Sequence, residues 1–323
     1  MDPLDFTVYR FLSPGGQARF WAGRRVIDPR ITPREIGEAA GISERGVRTR
    51  LEHLAKQGYL NDRAVIPNPG LFGRRVFVAD LPVRRSGEVD GLFRDLSVVE
   101  GVVFARDVLD EEERKIQVYF VSESEAPAAR LATLVGRLSP AGRPVEPRPY
   151  LVPVCSRSLS VMDWKILSEL WRHPDATFLE ISENTGVSLK TAARIYHQLI
   201  DSHACWWTHG PYSEEFPLAL VRIVAATSPY VESIRGWLVD DGQPWMPVAP
   251  DGYGAEPSGG PSELIGLTAA DAPAVLERFL RRVAALEGVD QVHRTFALGS
   301  AIYTSWFADR LAPSESRPNP RGR

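Results

Sequence analysis

Apolar residues recur at helical spacing in two stretches that lie far apart in the chain. "LDFTVYRFL", which begins at Leu4, and "MDWKILSELW", which begins at Met162, both repeat an apolar residue every three or four positions. Such spacing gives a helix one apolar stripe. Each stretch is therefore predicted to form an amphipathic helix that opens a folded unit.

A second helix is predicted by the polar residues that follow the first stretch. In "TPREIGEAA", Thr32 can accept a hydrogen bond as the N-cap, Pro33 suits the first helical position, and Glu35 can close a capping box. Gly41 then favours the left-handed conformation that ends a helix. Because Ser43 can cap the next helix, a short turn is expected to join the two.

The third helix is amphipathic. Val47, Leu51 and Leu54 lie at positions i, i+4 and i+7. Two helices joined by a glycine turn, the second of them amphipathic, indicate a helix-turn-helix. The same signals return at Gly186, after which Ser188 can cap a helix. The apolar face of that helix consists of Ala192, Tyr196 and Leu199.

The two helix-turn-helix units align residue by residue. At an offset of 145 positions the identical pairs include Glu35 and Glu180, Ile36 and Ile181, Glu38 and Glu183, Ser43 and Ser188, and Leu54 and Leu199. Leu4-Asp5 corresponds to Met162-Asp163 at an offset of 158, so the first unit has 13 additional residues, which we place in the loop "PGGQARFWAGRRV". The chain is therefore predicted to be a tandem repeat.

Behind each unit the apolar pattern changes from helical spacing to alternation. The first such segment is predicted to form a strand, a helix, two strands around the acidic turn "DEEER", a helix and a strand. Ile116, Val118 and Phe120 give its sheet an apolar face. The second segment repeats the order, with the insertion "PDGYGAEPSGGPS" between its middle strands. The order βαββαβ indicates a ferredoxin-like domain, and the fold class is α+β.

Composition limits the class of protein. The 323 residues exceed one typical domain, and 44% of them are hydrophobic, which is enough for several cores. The net charge of −3 excludes a uniformly basic nucleic-acid coat but allows a local basic patch. Cys155 and Cys205 are the only cysteines, which excludes a disulfide framework. No signal peptide or membrane span is recognisable, so we expect a cytoplasmic protein.

The series of motifs resembles the leucine-responsive/AsnC family of transcriptional regulators. "LDFTVYRFL" and "MDWKILSEL" are similar to the opening helix of that family, and "EIGEAAGISERGVRTRLEHLAKQGYL" is similar to its helix-turn-helix. "IPNPGLFG" resembles the segment between wing and effector domain, and "VVEGVVFA" and "ALEGVDQVHRTF" resemble turns into strands. The resemblance implies winged helix-turn-helix units, each followed by a ferredoxin-like domain, that bind double-stranded DNA.

The resemblance and the repeat together define five regions. We expect a winged helix-turn-helix at 1–66, a ferredoxin-like effector and assembly domain at 67–155, a second winged helix-turn-helix at 156–212, a second ferredoxin-like domain at 213–311 and a disordered tail at 312–323. Family members pair the sheets of two subunits face to face. Here both sheets belong to one chain, so we expect an intrachain pseudo-dimer of that kind, from which further homo-oligomers can form.

The third helix of the first unit carries the chemistry that DNA binding requires. Its polar side holds Arg45 and Thr49, with Arg48 and Arg50 on the flanks. An arginine in the first turns of a recognition helix can donate two hydrogen bonds to guanine, and other cations contact phosphates. An ordinary solvated face is the alternative, but the capped helix and glycine turn before it favour DNA. We predict DNA contacts from Ser43 and from these four residues.

The second unit offers a weaker set of DNA-binding residues. Lys190, Thr191, Arg194 and His197 are the candidates on its third helix. Residues 1–75 contain 13 Lys or Arg and 8 Asp or Glu, whereas residues 160–210 contain 4 and 6. A mainly structural second unit is an equal alternative. The charges predict that the first unit supplies most of the DNA affinity, and unlike copies suit an asymmetric operator.

Two further substitutions distinguish the second unit. Ile195 stands where the first unit has Arg50, and His203 stands where the first unit has Gly58. An altered helix end and wing are therefore expected in the second unit.

Two other functions stay open at this point. A few relatives of this architecture decarboxylate tetrapyrroles between paired effector domains, and Arg222, His293 and Arg294 are the group that suggests such an enzyme. A ligand-sensing scaffold without DNA binding is the other. His197 and His203 lack the spacing of a helical metal site, and no phosphate-binding loop or nucleophile elbow is present. We predict a regulator without enzymatic activity, metal or cofactor.

A small-molecule effector is implied by the resemblance alone. Family members often carry a glycine and an aspartate around the middle hairpin, near the ligand. Arg106-Asp107 and Asp251-Gly252 match that pattern only in part. We expect a diverged effector site that does not bind leucine or the other common amino acids, and its residues cannot be assigned from the sequence.

Overall fold

The computed structural model describes residues 3–12, 32–57, 60, 63–83, 86–110, 113–139, 145–150, 152–209, 218–240, 245–248, 263–268 and 273–311. They form an α+β structure in which two helix-turn-helix units are each followed by a ferredoxin-like βαββαβ domain. The predicted loop at 14–26, the insertion at 250–262 and the predicted disordered tail lie outside the described residues.

The first unit consists of α1 (Pro3–Leu12), α2 (Pro33–Ala40), α3 (Glu44–Lys56) and β1 (Arg63–Pro67). The predicted capping box is present, because Thr32 Oγ1 accepts from the Glu35 amide (3.3 Å) and the Thr32 amide donates to the Glu35 carboxylate (2.7 Å). Gly41 has a left-handed φ of 69°, which lets the chain turn sharply into α3. The buried core residues of this unit include Val8, Tyr9, Ile36, Val47 and Leu54.

The first ferredoxin-like domain follows a short 3-10 helix, Pro69–Phe72. Its elements are β2 (Arg75–Pro82), α4 (Val89–Ser97), β3 (Val102–Leu109), β4 (Arg114–Ser122), α5 (Glu125–Leu138) and β5 (Arg148–Tyr150). The strands lie in the order β5-β2-β4-β3, and every neighbouring pair is antiparallel. The predicted βαββαβ order is confirmed.

The second unit repeats the elements of the first. It consists of α6 (Val161–Arg172), α7 (Phe178–Thr185), α8 (Leu189–Asp201) and β6 (Cys205–His209). Thr177 and Glu180 form the capping box of α7, and Gly186 has a φ of 71°. His203, at the position of Gly58, has a positive φ of 56°. A helix end that favours glycine is therefore made here by a histidine.

The second ferredoxin-like domain has the same strand order as the first. Its elements are β7 (Leu218–Ala225), α9 (Ser228–Asp240), β8 (Trp245–Val248), β9 (Glu263–Thr268), α10 (Pro273–Ala284) and β10 (Val289–Ile302), followed by the C-terminal helix α11 (Ser305–Leu311). The order β10-β7-β9-β8 corresponds position by position to β5-β2-β4-β3.

The two half-sheets join edge to edge into one eight-stranded sheet. β10 is 14 residues long, so its first part pairs with β7 while its last part extends past β7 and pairs antiparallel with β3. In that junction Phe296 lies opposite Leu109 and Ser300 lies opposite Arg106. The prediction that the two sheets pack face to face was therefore wrong, because the strands of both lie in one sheet. Both outer strands carry a proline, Pro149 and Pro247, whose missing N–H weakens further pairing at an edge.

The apolar faces of the first half-sheet are covered by helices. Ile116, Val118 and Phe120 are buried against α4 and α5. We expected a second sheet to cover this face, but helices cover it. The opposite face has its own apolar set, which is Val76, Val78, Tyr119 and Val121. This set shares one core with α6, α8 and α11. The second helix-turn-helix unit thus sits on the first ferredoxin-like domain.

The strand of each helix-turn-helix unit pairs with the strand of the other unit. β1 and β6 are antiparallel, with Val65 opposite Trp207 and Pro67 opposite Cys205. Two antiparallel strands are related by a local twofold axis. The ribbon is therefore locally symmetric, as at a dimer interface, although both strands belong to one chain.

Candidate nucleic-acid interface

The N-terminus of α3 is shaped by Ser43, which sequence analysis proposed as a DNA contact. Its Oγ accepts a hydrogen bond from the Gly46 amide at 3.1 Å, so the hydroxyl serves as the N-cap. Ser43 is exposed and lies directly before the first turn of the helix. The cap thereby fixes where α3 begins and which residues occupy its first turn.

Arg45 is exposed in the first turn of α3. Its guanidinium forms no hydrogen bond or ion pair with any residue that the structure describes. Thr49, one turn later on the same face, is exposed and donates its hydroxyl to the Arg45 carbonyl at 3.1 Å. An exposed arginine with an available guanidinium is the group that can donate two hydrogen bonds to a guanine edge.

Arg48 forms an exposed ion pair with Glu44 one turn earlier. The closest N–O distance is 2.6 Å, and the two side chains are 61% and 45% exposed. Pairs of this kind stabilise a helix by only about 0.3–0.5 kcal/mol. Arg48 can therefore exchange Glu44 for a phosphate at small cost.

Arg50 points towards α1 and contacts Asp5. Its Nη1 lies 3.0 Å from Asp5 Oδ1, and the carboxylate has 0% exposure whereas the Arg50 side chain has 29%. His53 approaches the other oxygen of Asp5, with Nδ1 2.9 Å from Oδ2. If Arg50 moved to DNA, the buried Asp5 carboxylate would lose its ion pair with the guanidinium, which is unfavourable. In this geometry Arg50 holds α3 against α1.

The second unit presents a different set of side chains. Lys190 is exposed at the second position of α8. The Thr191 hydroxyl lies 2.9 Å from that of Ser188. Arg194 is exposed and donates to Gln198 Oε1 at 3.0 Å. His197 is exposed, and its ring packs near Phe178 and Tyr196. All four proposed DNA contacts thus lie on α8, with Lys190 and Arg194 as its exposed cations.

The buried aspartate of the first unit has a counterpart in the second. Asp163 corresponds to Asp5, but Ile195, which is buried, replaces Arg50. Arg157, in the segment before α6, forms the ion pair with Asp163 and also donates to Gln198 at 3.2 Å. Neither ion pair was predicted from the sequence, although the aligned Leu4-Asp5 and Met162-Asp163 indicate that an acid recurs on an apolar helix.

The residues that suggested an enzyme do not converge. Arg222 and His293 lie opposite each other on β7 and β10, both exposed on the sheet face away from α9 and α10. Arg294 lies on the other face and pairs with Glu277 of α10. A cleft lined by all three side chains is therefore absent among the described residues.

The residues nearest to the family's effector pattern are engaged within the first half-sheet. Asp107 is buried and forms an ion pair of 2.5 Å with Arg114. Arg106, on the opposite face of β3, donates to Gln117 (2.7 Å) and to the Tyr119 hydroxyl (3.0 Å). Asp251 and Gly252 lie outside the described residues. In the described residues, no three His, Cys, Asp or Glu side chains meet as a metal site would require, and no helix there can cross a bilayer.

Comparison with known proteins supports the assignment of the two units. Residues 28–61 and 159–202 match the winged helix-turn-helix DNA-binding family, and these segments contain α2 and α3 of the first unit and α6 to α8 of the second. Curated protein sequences gave no match.

Solved structures share parts of this architecture at low identity. The siroheme decarboxylase NirDL is similar over 91% of both chains, with 10% identity and a TM-score of 0.44. AsnC of E. coli is similar over 49% of this chain and 97% of its own, with 12% identity and a TM-score of 0.31. An AsnC-family regulatory protein from Pyrococcus furiosus is similar over 42% of this chain and 87% of its own, with 17% identity and a TM-score of 0.28. Scores at this level do not carry a functional assignment.

Proposed function

We propose that this chain is a transcriptional regulator that binds a specific double-stranded DNA sequence. It contains two helix-turn-helix units of a DNA-binding type and resembles the leucine-responsive/AsnC regulators. The match of both units to a DNA-binding family is the observation that carries this proposal. The geometry of α3 supports it, because Ser43 caps the helix and Arg45 stands exposed in the first turn.

The first unit supplies most of the affinity in this proposal. Arg45 contacts a base edge in the major groove, Arg48 moves from Glu44 to a phosphate, and Thr49 lies beside them. On α8, Arg48 is replaced by Ala193 and Lys56 by Asp201. The second unit therefore makes fewer contacts through Lys190 and Arg194, and the operator has two unlike half-sites.

Selection of duplexes from a random library with the purified protein tests the proposal. We expect an enriched sequence that binds with an affinity that falls steeply as salt rises, because released counterions drive phosphate contacts. Random duplexes should bind at least about a thousandfold more weakly, which is the lower end of the usual specificity ratio. Failure to enrich any sequence would contradict the proposal.

An enzyme acting on a tetrapyrrole is the less favoured alternative. It would require cations that meet in one cleft to hold the substrate carboxylates, and Arg222, His293 and Arg294 are divided between two faces of the sheet. A coloured tetrapyrrole that stays with the protein through purification would support the enzyme. Binding to DNA without such a pigment would support the regulator.

A diverged effector site completes the proposal. Asp107, the closest match to the family pattern in the first half, is buried in an ion pair with Arg114. A ligand at 100 times its dissociation constant stabilises a protein by about 2.7 kcal/mol, which a thermal shift detects. We expect none of the twenty amino acids at millimolar concentration to shift the melting temperature. A saturable shift with any of them would restore amino-acid sensing.

A further inference from the structure

Asn68 lies where the two helix-turn-helix units meet. It follows β1, the last element of the first unit, and precedes the 3-10 helix that leads into the ferredoxin-like sheet. The residue is only 1% exposed. A buried carboxamide is stable only when its donors and its acceptor are satisfied, so its contacts are specific.

The side chain of Asn68 reaches two separate segments of the second unit. Its Nδ2 donates to the carbonyl of Pro153 (2.8 Å), in the linker that leads to α6, and to the carbonyl of His203 (2.7 Å), just after α8. The Oδ1 accepts from the Gly70 amide at 2.9 Å. The main-chain amide of Asn68 donates to Ala204 at 2.8 Å. Both amide hydrogens and the carbonyl oxygen are thus used.

These bonds fix a geometry that the β1–β6 ribbon cannot fix alone. A two-stranded ribbon is marginally stable by itself, and its register can slip. The two N–H groups of a carboxamide lie in one plane at a fixed angle, so they hold the linker and the end of α8 in one orientation relative to β1. Since the first unit is attached to the rest of the described chain mainly through β1, the place of that attachment beside the end of α8 is held as well.

We propose that Asn68 is a positioning residue that fixes the place where the first unit is attached beside α8, and thereby limits the spacing between two half-sites on DNA that α3 and α8 can reach together. This role rests on the proposed DNA-binding function. DNA repeats about every 10.5 base pairs, so an insertion of about five base pairs moves the second half-site to the opposite side of the duplex. A rigid junction cannot follow that movement, whereas a loosened junction can.

The experiment uses the duplex that the wild-type chain selects, with one to five base pairs inserted between the two half-sites that the bound protein covers. For the five-pair insertion we expect the affinity of the wild-type protein to fall about tenfold or more, because one of the two half-sites no longer meets its recognition helix. Asn68→Ala and Asn68→Ser should reduce that ratio to about threefold or less. Asn68→Ser removes both amide donors but keeps a side-chain oxygen that can accept from the Gly70 amide, so it remains informative if the alanine variant fails to fold.

A matched control is available in the first ferredoxin-like domain. Ser139 is buried, and its hydroxyl donates to the Pro82 carbonyl at 3.0 Å. Ser139→Ala removes a buried hydrogen bond far from the junction, so the wild-type spacing ratio should persist. Equal wild-type binding to all spacings, or an unchanged ratio in a folded Asn68 variant, would overturn the role of Asn68 while DNA binding stands. Failure to select any duplex would remove the proposed function and this role together.

Discussion

The two helix-turn-helix units have the same elements but different attachments. In the first unit α1, α2 and α3 contact one another, and its main contacts with the rest of the described chain run through β1, which pairs with β6 and packs on α6. In the second unit Ile166, Leu170 and Tyr196 share one core with the sheet residues Val78 and Tyr119. The first unit is therefore attached mainly through β1, whereas the second unit shares a hydrophobic core with the sheet.

The difference extends to the surface expected to face DNA. At aligned positions α3 carries Glu44, Arg45 and Arg48, whereas α8 carries Leu189, Lys190 and Ala193. Leu189 is 52% exposed. The first unit thus carries the charges that a phosphate backbone attracts, whereas the second unit carries fewer of them at the aligned positions. Equal folds therefore do not imply equal roles, and the expected effects of substitution differ between the units.

The largest effect is expected from Phe307→Ala. Phe307 of α11 is 1% exposed and packs with Trp306 and Phe72 in the core that holds the second unit on the sheet. Truncating a buried phenylalanine costs about 3–5 kcal/mol. Hydrogen exchange should show lost amide protection in α8 and little change in α3, because no described residue of α1, α2 or α3 belongs to the core that contains Phe307.

Phe279→Ala is the matched control for that experiment. Phe279 of α10 is equally buried, but its core contains only the second ferredoxin-like domain. Its loss should lower protection in α10 before that in α8. If Phe307→Ala reduces protection in α3 and α8 equally, the two units are not attached differently and the comparison fails.

A smaller effect is expected when each unit loses the cation of its buried aspartate. Arg50→Ala should cost about 2–3 kcal/mol, less than for a fully buried pair because Arg50 is partly exposed and His53 stays near Asp5. Arg157→Ala should cost about 1–2 kcal/mol, because Asp163 still accepts from the Ser160 amide and hydroxyl at 2.8 Å each. Urea unfolding measures both. A larger loss from Arg157→Ala would reverse this ranking.

The smallest effect is expected from His203→Gly, which restores the residue of the first unit. Glycine adopts the left-handed φ of His203 without steric cost, so the variant should be more stable by about 0.5–1 kcal/mol. A measured loss of stability in urea at pH 7.5 would contradict this.

The same variant should change how stability depends on pH. Burial lowers the pKa of His203 below its ordinary value of 6.5, although Asp201 opposes this. The folded state then binds fewer protons than the unfolded state, so stability falls as pH drops below 6.5. The advantage of His203→Gly should therefore be greater at pH 5.5 than at pH 7.5. An equal advantage at both would show that His203 does not contribute.

Local structure could be predicted from the sequence because its causes are local. Thr32 and Glu35 are three residues apart, Gly41 follows at the end of the same helix, and each acts as the spacing predicts. The alternation through Ile116 and Phe120 correctly indicated a strand, although Tyr119 and Val121 make its opposite face apolar as well. Alternation does not say what covers a face, however, and α4 and α5 cover the face of Ile116 and Phe120.

The remaining features depend on pairs that are distant in sequence. Ser300 lies opposite Arg106, and Val65 lies opposite Trp207, and no local pattern specifies either partner. Arg50 stays a predicted DNA contact, but a charged residue on a helix flank gives no sign that the Asp5 carboxylate lies 3.0 Å from its guanidinium.

DNA affinity of two matched double variants tests the central claim, that the first unit dominates binding. Arg45→Ala with Arg48→Ala should weaken binding to the selected duplex by roughly 1–3 kcal/mol for each lost base contact and should lower the salt dependence. Lys190→Ala with Arg194→Ala should weaken binding less than tenfold, below about 1.4 kcal/mol. Equal losses from the two pairs would contradict unequal roles, and no loss from either would contradict the interface itself.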